Sequence, residues 1–229
     1  MPDSSPMVTP AQRKWLPWLT AVGFFMQTLD GTILNTALPS MAEALGESPL
    51  QMQSVIIAYM LTVALLIPAS GWLADRFGTR RVYLVAILLF TLGSLACAIA
   101  NTLPMLVIAR VLQGVGGALL MPIGRLAVLR VYSKHELLRV MSFVTIPGLL
   151  GPLIGPALGG WLVEVASWHW VFLINLPVGV LGFIASWYFM PDLRQHTARF
   201  DWQGFVLFSV GMVLVSVGLQ GLGEHSIST

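Results

Sequence analysis

Long apolar runs separated by short polar breaks repeat along the whole chain. Windows of about 20 apolar residues, the length that crosses a hydrocarbon core of about 30 Å, fall at 15–38, 50–74, 82–100, 103–129, 140–163, 170–190 and 205–222. The pattern predicts seven membrane-spanning helices joined by short connections, with no inserted soluble domain. It divides the chain into an N-terminal tail (1–14), a six-helix transmembrane bundle (15–190) and a last part (191–229) holding a loop, a seventh spanning helix and a short outer tail. Arg13 and Lys14 precede the first run as they would in a secretory signal. That run is too long, lacks a small-residue cleavage site and leads into further spans, so it reads as retained.

Composition supports an all-α integral membrane protein. Of 229 residues, 56% are hydrophobic and 10% charged, with a mean hydropathy of +0.81; soluble domains carry about 25% charged residues. The pI of 9.0 reflects how few charges exist and where the basic ones sit, so it does not mark a nucleic-acid partner. Arg13, Lys14, Arg76, Arg80, Arg81, Arg130, Lys134, Arg139, Arg194 and Arg199 lie before the first run or in alternate connections. The intervening connections, at 43–47, around Asn101 and at 164–169, have no lysine or arginine. Basic residues stay on the cytoplasmic side, which predicts a cytoplasmic N-terminus. Cys97 is the only cysteine and can form no intramolecular disulfide.

Polar residues inside the runs carry the candidate chemistry. Asp30 lies midway along the first. An acid within a bilayer helix costs at least about 2.5–3.5 kcal/mol and normally faces a bundle interior or an aqueous cavity. Desolvation favours its neutral form and a nearby positive charge its ionised form, so a carboxyl poised between them can load and release protons. Arg110 lies deep in the fourth run; its guanidinium stays charged and must be paired or hydrated. Asp30 and Arg110 are the candidate proton-coupling residues. Gln27, Asn35 and Gln113 are read as facing a cavity or substrate. Each of the first and fourth runs holds one buried charge, and Pro68-Ala69-Ser70-Gly71-Trp72-Leu73 is echoed by Pro156-Ala157-Leu158-Gly159-Gly160-Trp161-Leu162. Spans one to three thus read as repeated, inverted, in spans four to six.

Two further patterns concern movement. In the fifth run Pro147, Gly151, Gly155 and Gly159 recur every four residues, as do Gly148, Pro152, Pro156 and Gly160. At 3.6 residues per turn the two rows are expected to form one side-chain-poor stripe, able to admit a neighbouring helix closely and to bend. Between spans two and three, Gly71, Asp75, Arg76, Gly78, Arg80 and Arg81 form a candidate gating loop. Gly78 permits a tight turn, and Asp75 is placed to pair with a basic loop residue or to cap a neighbouring helix.

These residues together resemble the major facilitator superfamily. The Asp75 segment is similar to its loop signature, with Thr79 where a basic residue is usual. Arg110 with Gln113 and Gly114 is similar to its fourth-helix motif, and the 147–160 stripe to its antiporter motif. Leu29-Asp30-Gly31-Thr32, Trp168-His169-Trp170 through Asn175-Leu176-Pro177, and Arg199-Phe200-Asp201-Trp202 resemble the 14-helix drug:proton antiporters. The resemblance implies a six-helix bundle of 3+3 inverted repeats plus one linker helix in a bacterial inner membrane. It implies proton-coupled multidrug efflux of a small-molecule substrate, driven by the proton gradient with no cofactor and no metal. Such proteins have two bundles over roughly twice this length. The chain is therefore expected to correspond to an N-terminal part, with a C-terminal bundle as its partner, and not to transport alone. The alternatives are export of small anionic metabolites by the same antiport, or a non-transporting membrane remnant. Enzymatic chemistry is not expected: the chain has no His-Glu-x-x-His, Gly-x-Ser-x-Gly or P-loop, and its histidines are isolated from one another.

Overall fold

The computed structural model describes residues 8–195 and 199–227. The expected tails thus lie partly outside the described residues, at 1–7 and 228–229, as does His196. The helices are α1 (Pro10–Leu45), α2 (Pro49–Phe77), α3 (Thr79–Ala98), α4 (Leu103–Val131), α5 (Lys134–Val165), α6 (Trp170–Leu173), α7 (Asn175–Phe189) and α8 (Trp202–Ile227). Among the described residues, α2, α3, α4, α5 and α6–α7 taken together are long and apolar enough to cross a membrane. α1 has 36 residues, but Gln27, Asp30 and Asn35 dilute its hydropathy. The described apolar part of α8 is the shorter stretch Trp202–Ser216.

Local chemistry moves several boundaries from those expected. α1 begins ahead of Trp15 because Thr9 and Gln12 form a capping box, with Gln12 N donating to Thr9 Oγ1 at 3.2 Å and Thr9 N to Gln12 Oε1 at 3.0 Å. It passes through Pro39 and ends only at Gly46, whose φ of 68° suits a left-handed cap. The sixth span is not one helix. It is interrupted at Ile174, where Pro177 has no amide proton to close on the carbonyl of Leu173.

The bundle is built around α1 and α4. α1 packs chiefly on α5, and α4 on α2 and α3. The exchange of partners, α1 with α5 and α4 with α2, is the one an inverted three-helix repeat produces. Leu92, Ile108 and Leu181 face outward, whereas Asp30, Arg110, Gln113 and Asn175 are buried. That reversed polarity suits a hydrocarbon surround. Two apolar clusters fill the interior. One holds Leu16–Met26 of α1, Val82–Phe90 of α3 and Leu119–Val128 of α4; the other holds Ile33–Ala42, Cys97 and Leu106–Ala109. Asp30, Ser94, Arg110 and Gln113 fall between these ranges on their helices, so a polar layer separates the two clusters.

The glycine–proline stripe divides. Gly148, Gly151, Gly155 and Gly159 are buried and meet Phe24, Thr28, Thr32 and Thr36 of α1 respectively. The Thr32 hydroxyl reaches the carbonyl of Gly151 at 3.3 Å as well as that of Thr28 at 3.0 Å. Pro152, Pro156 and Gly160 are exposed on the other side of α5, whereas Pro147 is half-buried. Steps of three, four and four residues average close to one turn, whereas constant steps of four drift off the face. One face of α5 is therefore a close-packing surface and the proline face is left outside.

This arrangement distinguishes two glycines of equal chemistry. A Cβ at Gly151 would stand 2.7 Å from the backbone nitrogen of Leu29, while one at Gly160 would meet nothing within 4 Å. Gly151→Ala is expected to lower stability by about 1–3 kcal/mol through overpacking, and Gly160→Ala to leave it nearly unchanged. Thermal unfolding of the two variants in detergent checks this; equal shifts would contradict the assigned face.

Candidate functional site: a buried carboxylate–guanidinium centre

Four elements converge between the apolar clusters. Arg110 Nη1 of α4 donates to Asp30 Oδ2 of α1 at 2.7 Å and to Gln113 Oε1 at 2.6 Å. Gln113 Nε2 donates to Asp30 Oδ1 at 2.8 Å and to Ser94 Oγ of α3 at 2.7 Å. Asn175 Nδ2, the first residue of α7, donates to Asp30 Oδ1 at 3.2 Å. The spacing of Arg110 and Gln113, one turn apart, puts both side chains on one face of α4. The break before α7 presents the Asn175 carboxamide to the same carboxylate.

The centre is closed. Asp30 and Arg110 are each 1% exposed and Gln113 0%. The guanidinium carbon lies 4.1 Å from the centroid of the Tyr59 ring and 5.9 Å from that of Phe172, and Nε reaches the carbonyl of Val55 at 3.4 Å. A buried ion pair costs desolvation on both charges, which good geometry and further hydrogen bonds must offset. Here the carboxylate accepts from a guanidinium and two carboxamides.

Of the residues expected to face a cavity or substrate, Gln113 is instead enclosed in this network. Gln27 is half-buried, and its Oε1 has no hydrogen-bond partner among the described residues. Asn35 is exposed. Neither Gln27 nor Asn35 joins the Asp30 centre. Asn175, Ser94 and Tyr59 complete the centre; none was given a site role from the sequence, where Asn175 stood only within the 168–177 segment. A polar side chain in an apolar run was the signal available for the first two.

The residues expected to form a gating loop make a second cluster at the basic end of the bundle. Asp75, at the end of α2, pairs with Arg130 of the last turn of α4. Gly78 adopts φ 92°, and a Cβ there would lie 2.9 Å from the Asp192 carboxyl carbon. Thr79, where a basic residue would be usual, is fully buried. Its hydroxyl donates to the carbonyl of Pro191 at 2.7 Å and accepts from Leu193 N at 3.0 Å, and its amide donates to Leu193 O at 3.1 Å. Arg80 donates to the carbonyl of Trp187 and lies over that ring. Arg76 and Arg81 are exposed, and Gly71 is half-buried with open space where a Cβ would be. At the same end Arg13 bridges to Glu136 at 2.6 Å.

Removing one partner from a buried ion pair leaves the other charge uncompensated, at about 3–5 kcal/mol. Arg110→Met is therefore expected to destabilise the protein by about that amount, and Arg110→Met with Asp30→Asn to recover most of the loss. Unfolding midpoints of the single and double variants test this. A double variant no more stable than the single one would mean that the cost lies elsewhere.

Residues 20–204 match the sequence profile of the Major Facilitator Superfamily. A protein described as "Putative multidrug resistance protein MdtD" in Pectobacterium atrosepticum is 58% identical over 215 residues, a span covering 94% of this chain and 46% of that protein. One of the same description in Salmonella paratyphi B is 55% identical over 219 residues, covering 96% and 47%. The chain thus spans about half the length of the curated relatives it matches. The crystal structure of a peptide transporter, POT, in complex with sulfate is similar in fold, with a TM-score of 0.69 at 20% identity over 93% of this chain and 47% of that one.

Proposed function

The chain belongs to the major facilitator superfamily, a family of multi-pass membrane transporters, and from that membership we propose that it forms the N-terminal bundle of a proton-coupled multidrug exporter. The Asp30 centre is the observation that carries this reading. A carboxylate 1% exposed beside a guanidinium 1% exposed cannot take up a proton without consequence. Protonation cancels the charge on Asp30 and leaves Arg110 buried and uncompensated, so the centre must open or repack. Proton uptake thereby becomes a demand for conformational change. The relatives named as multidrug resistance proteins suggest amphipathic drugs as the substrate class. Arg110 is engaged with Asp30 and covered by Tyr59, which argues against its serving as a free binding site for anionic metabolites.

In this reading the basic end of the bundle faces the cytoplasm of a bacterial inner membrane, and the Asp75–Arg130 pair latches the gating loop there. The second half that the relatives possess supplies the opposing bundle. Alternating access then rocks one bundle against the other around a midplane site, with the exposed face of α5 at their junction and its prolines permitting bending.

In a full-length transporter carrying this chain, Asp30→Asn is expected to abolish efflux driven by a pH gradient while leaving drug binding within a few-fold of wild type. Drug accumulation in everted vesicles, with binding measured on purified protein, tests this. Undiminished gradient-driven efflux by the variant would remove Asp30 from the coupling role.

A further inference from the structure

Two helices reach from the Asp30 carboxylate to the gating loop. α4 does so with charge, carrying Arg110 at one level and Arg130 at the other. α7 does so with neutral groups. Its first residue, Asn175, donates to Asp30 Oδ1 at 3.2 Å. Its 15 residues run as one helix, about 22 Å long at 1.5 Å per residue. Gly179 seats it against Thr91 of α3. At its far end the carbonyl of Trp187 takes the Arg80 guanidinium. The following residues, Met190 and Leu193, are buried in the apolar cluster. Thr79 closes on Pro191 and Leu193 through three hydrogen bonds of 2.7, 3.0 and 3.1 Å. Gly78 holds φ 92°, a conformation a side chain would strain, with the Asp192 carboxyl beside it.

We propose that Asn175 is a positioning residue that ties α7 to the charge on Asp30, and that α7 acts as a strut carrying that charge state to Thr79 in the gating loop. An amide hydrogen bond to a carboxylate is roughly twice as strong as one to a neutral acceptor. Loss of charge on Asp30 therefore weakens the hold on the start of α7. The interruption at Ile174 separates α7 from α6, so α7 can shift as a unit without dragging α6. The bonds at its other end are those that fix the turn following Asp75. Thr79 serves the strut better than a basic side chain would: its short hydroxyl fits a fully buried position and bonds two backbone groups of the segment that follows α7.

The strut deepens the exporter reading, because it takes Asp30 as the carboxyl that changes charge during transport. Its test needs neither substrate nor gradient. Amide hydrogen exchange at Thr79 and Leu193 is followed in the 229-residue chain in lipid nanodiscs. Rates are read relative to the amide of Ile123 in α4, so that general destabilisation by the uncompensated Arg110 cancels, and on that scale Asp30→Asn is expected to speed both amides by about tenfold, the equivalent of one hydrogen bond. In an Asn175→Leu background, adding Asp30→Asn is expected to change them by less than about twofold, since the link is already cut. Asn175→Ser supplies the same comparison should the leucine variant fail to fold. If Asp30→Asn leaves Thr79 and Leu193 at wild-type rates, or speeds them equally with and without Asn175, the strut is wrong and α4 alone connects the two clusters. Normal efflux by Asp30→Asn in the full-length protein would instead tell against the coupling carboxyl and leave the measured strut standing.

Discussion

A carboxylate cannot stay ionised in a bilayer interior without a partner, and most of this bundle is arranged around meeting that requirement. Asp30 and Arg110 lie 80 residues apart, on the first and fourth helices. Bringing them within 2.7 Å sets the register of α1 against α4, and with it the relation between the two three-helix units. The other helices answer to the same need. Ser94 of α3 holds the carboxamide of Gln113 in the orientation that donates to Asp30. α2 covers the guanidinium with the Tyr59 ring and offers the carbonyl of Val55. The interruption of the sixth span delivers Asn175. The apolar clusters on either side exclude water, which strengthens each of these contacts and raises the cost of leaving any of them unmade.

The closeness of α1 and α5 depends on a different constraint, the absence of side chains. Lipid offers no hydrophobic force between helices, so association rests on van der Waals packing and hydrogen bonds across the interface. The threonine row of α1 meets the glycine row of α5, and Thr32 adds a bond to the Gly151 carbonyl. A tight, smooth contact of this kind holds α1 in place beside the charged centre. The proline-bearing face of α5 is left unoccupied, so one helix joins a fixed interior surface to an exposed surface suited to bending. The close-packing glycines and the exposed Pro152 and Pro156 thus lie on opposite faces of the same helix.

Much of this was legible in the residues because charge and glycine are conspicuous in an apolar run. Asp30 and Arg110 stand out by cost alone, and Gln113 follows from its place one turn along. The role expected of Gln113 as a cavity residue did not follow, because spacing places it beside Arg110 without saying whether water reaches either. Asn175 could be seen as a polar residue in a span, but its distance of 145 residues from Asp30 hides their contact. The division of the α5 stripe was also hidden. Both rows have the same period, and only the presence of α1 distinguishes the face that packs from the one that does not. Asp75 was expected to pair with a basic loop residue or to cap a helix, and that its partner is Arg130 of the last turn of α4 depended on how close the end of α4 comes to the end of α2. The early start of α1 was written locally in Thr9 and Gln12, whereas its passage through Pro39 is tolerated because neighbouring helices and local adjustment re-satisfy the groups that proline frees.

What the amino-acid order determined by itself was the succession of apolar helices, their basic end, and the polar residues too costly to leave unpaired in an apolar surround. These follow from transfer free energies and helical period, which act residue by residue. Which groups meet was decided only by the tertiary structure: Asp30 with Asn175, Asp75 with Arg130, Thr79 with Leu193. Such contacts depend on the rotation and depth of each helix relative to the others, and those are fixed by mutual packing around one buried charge pair that no single segment contains.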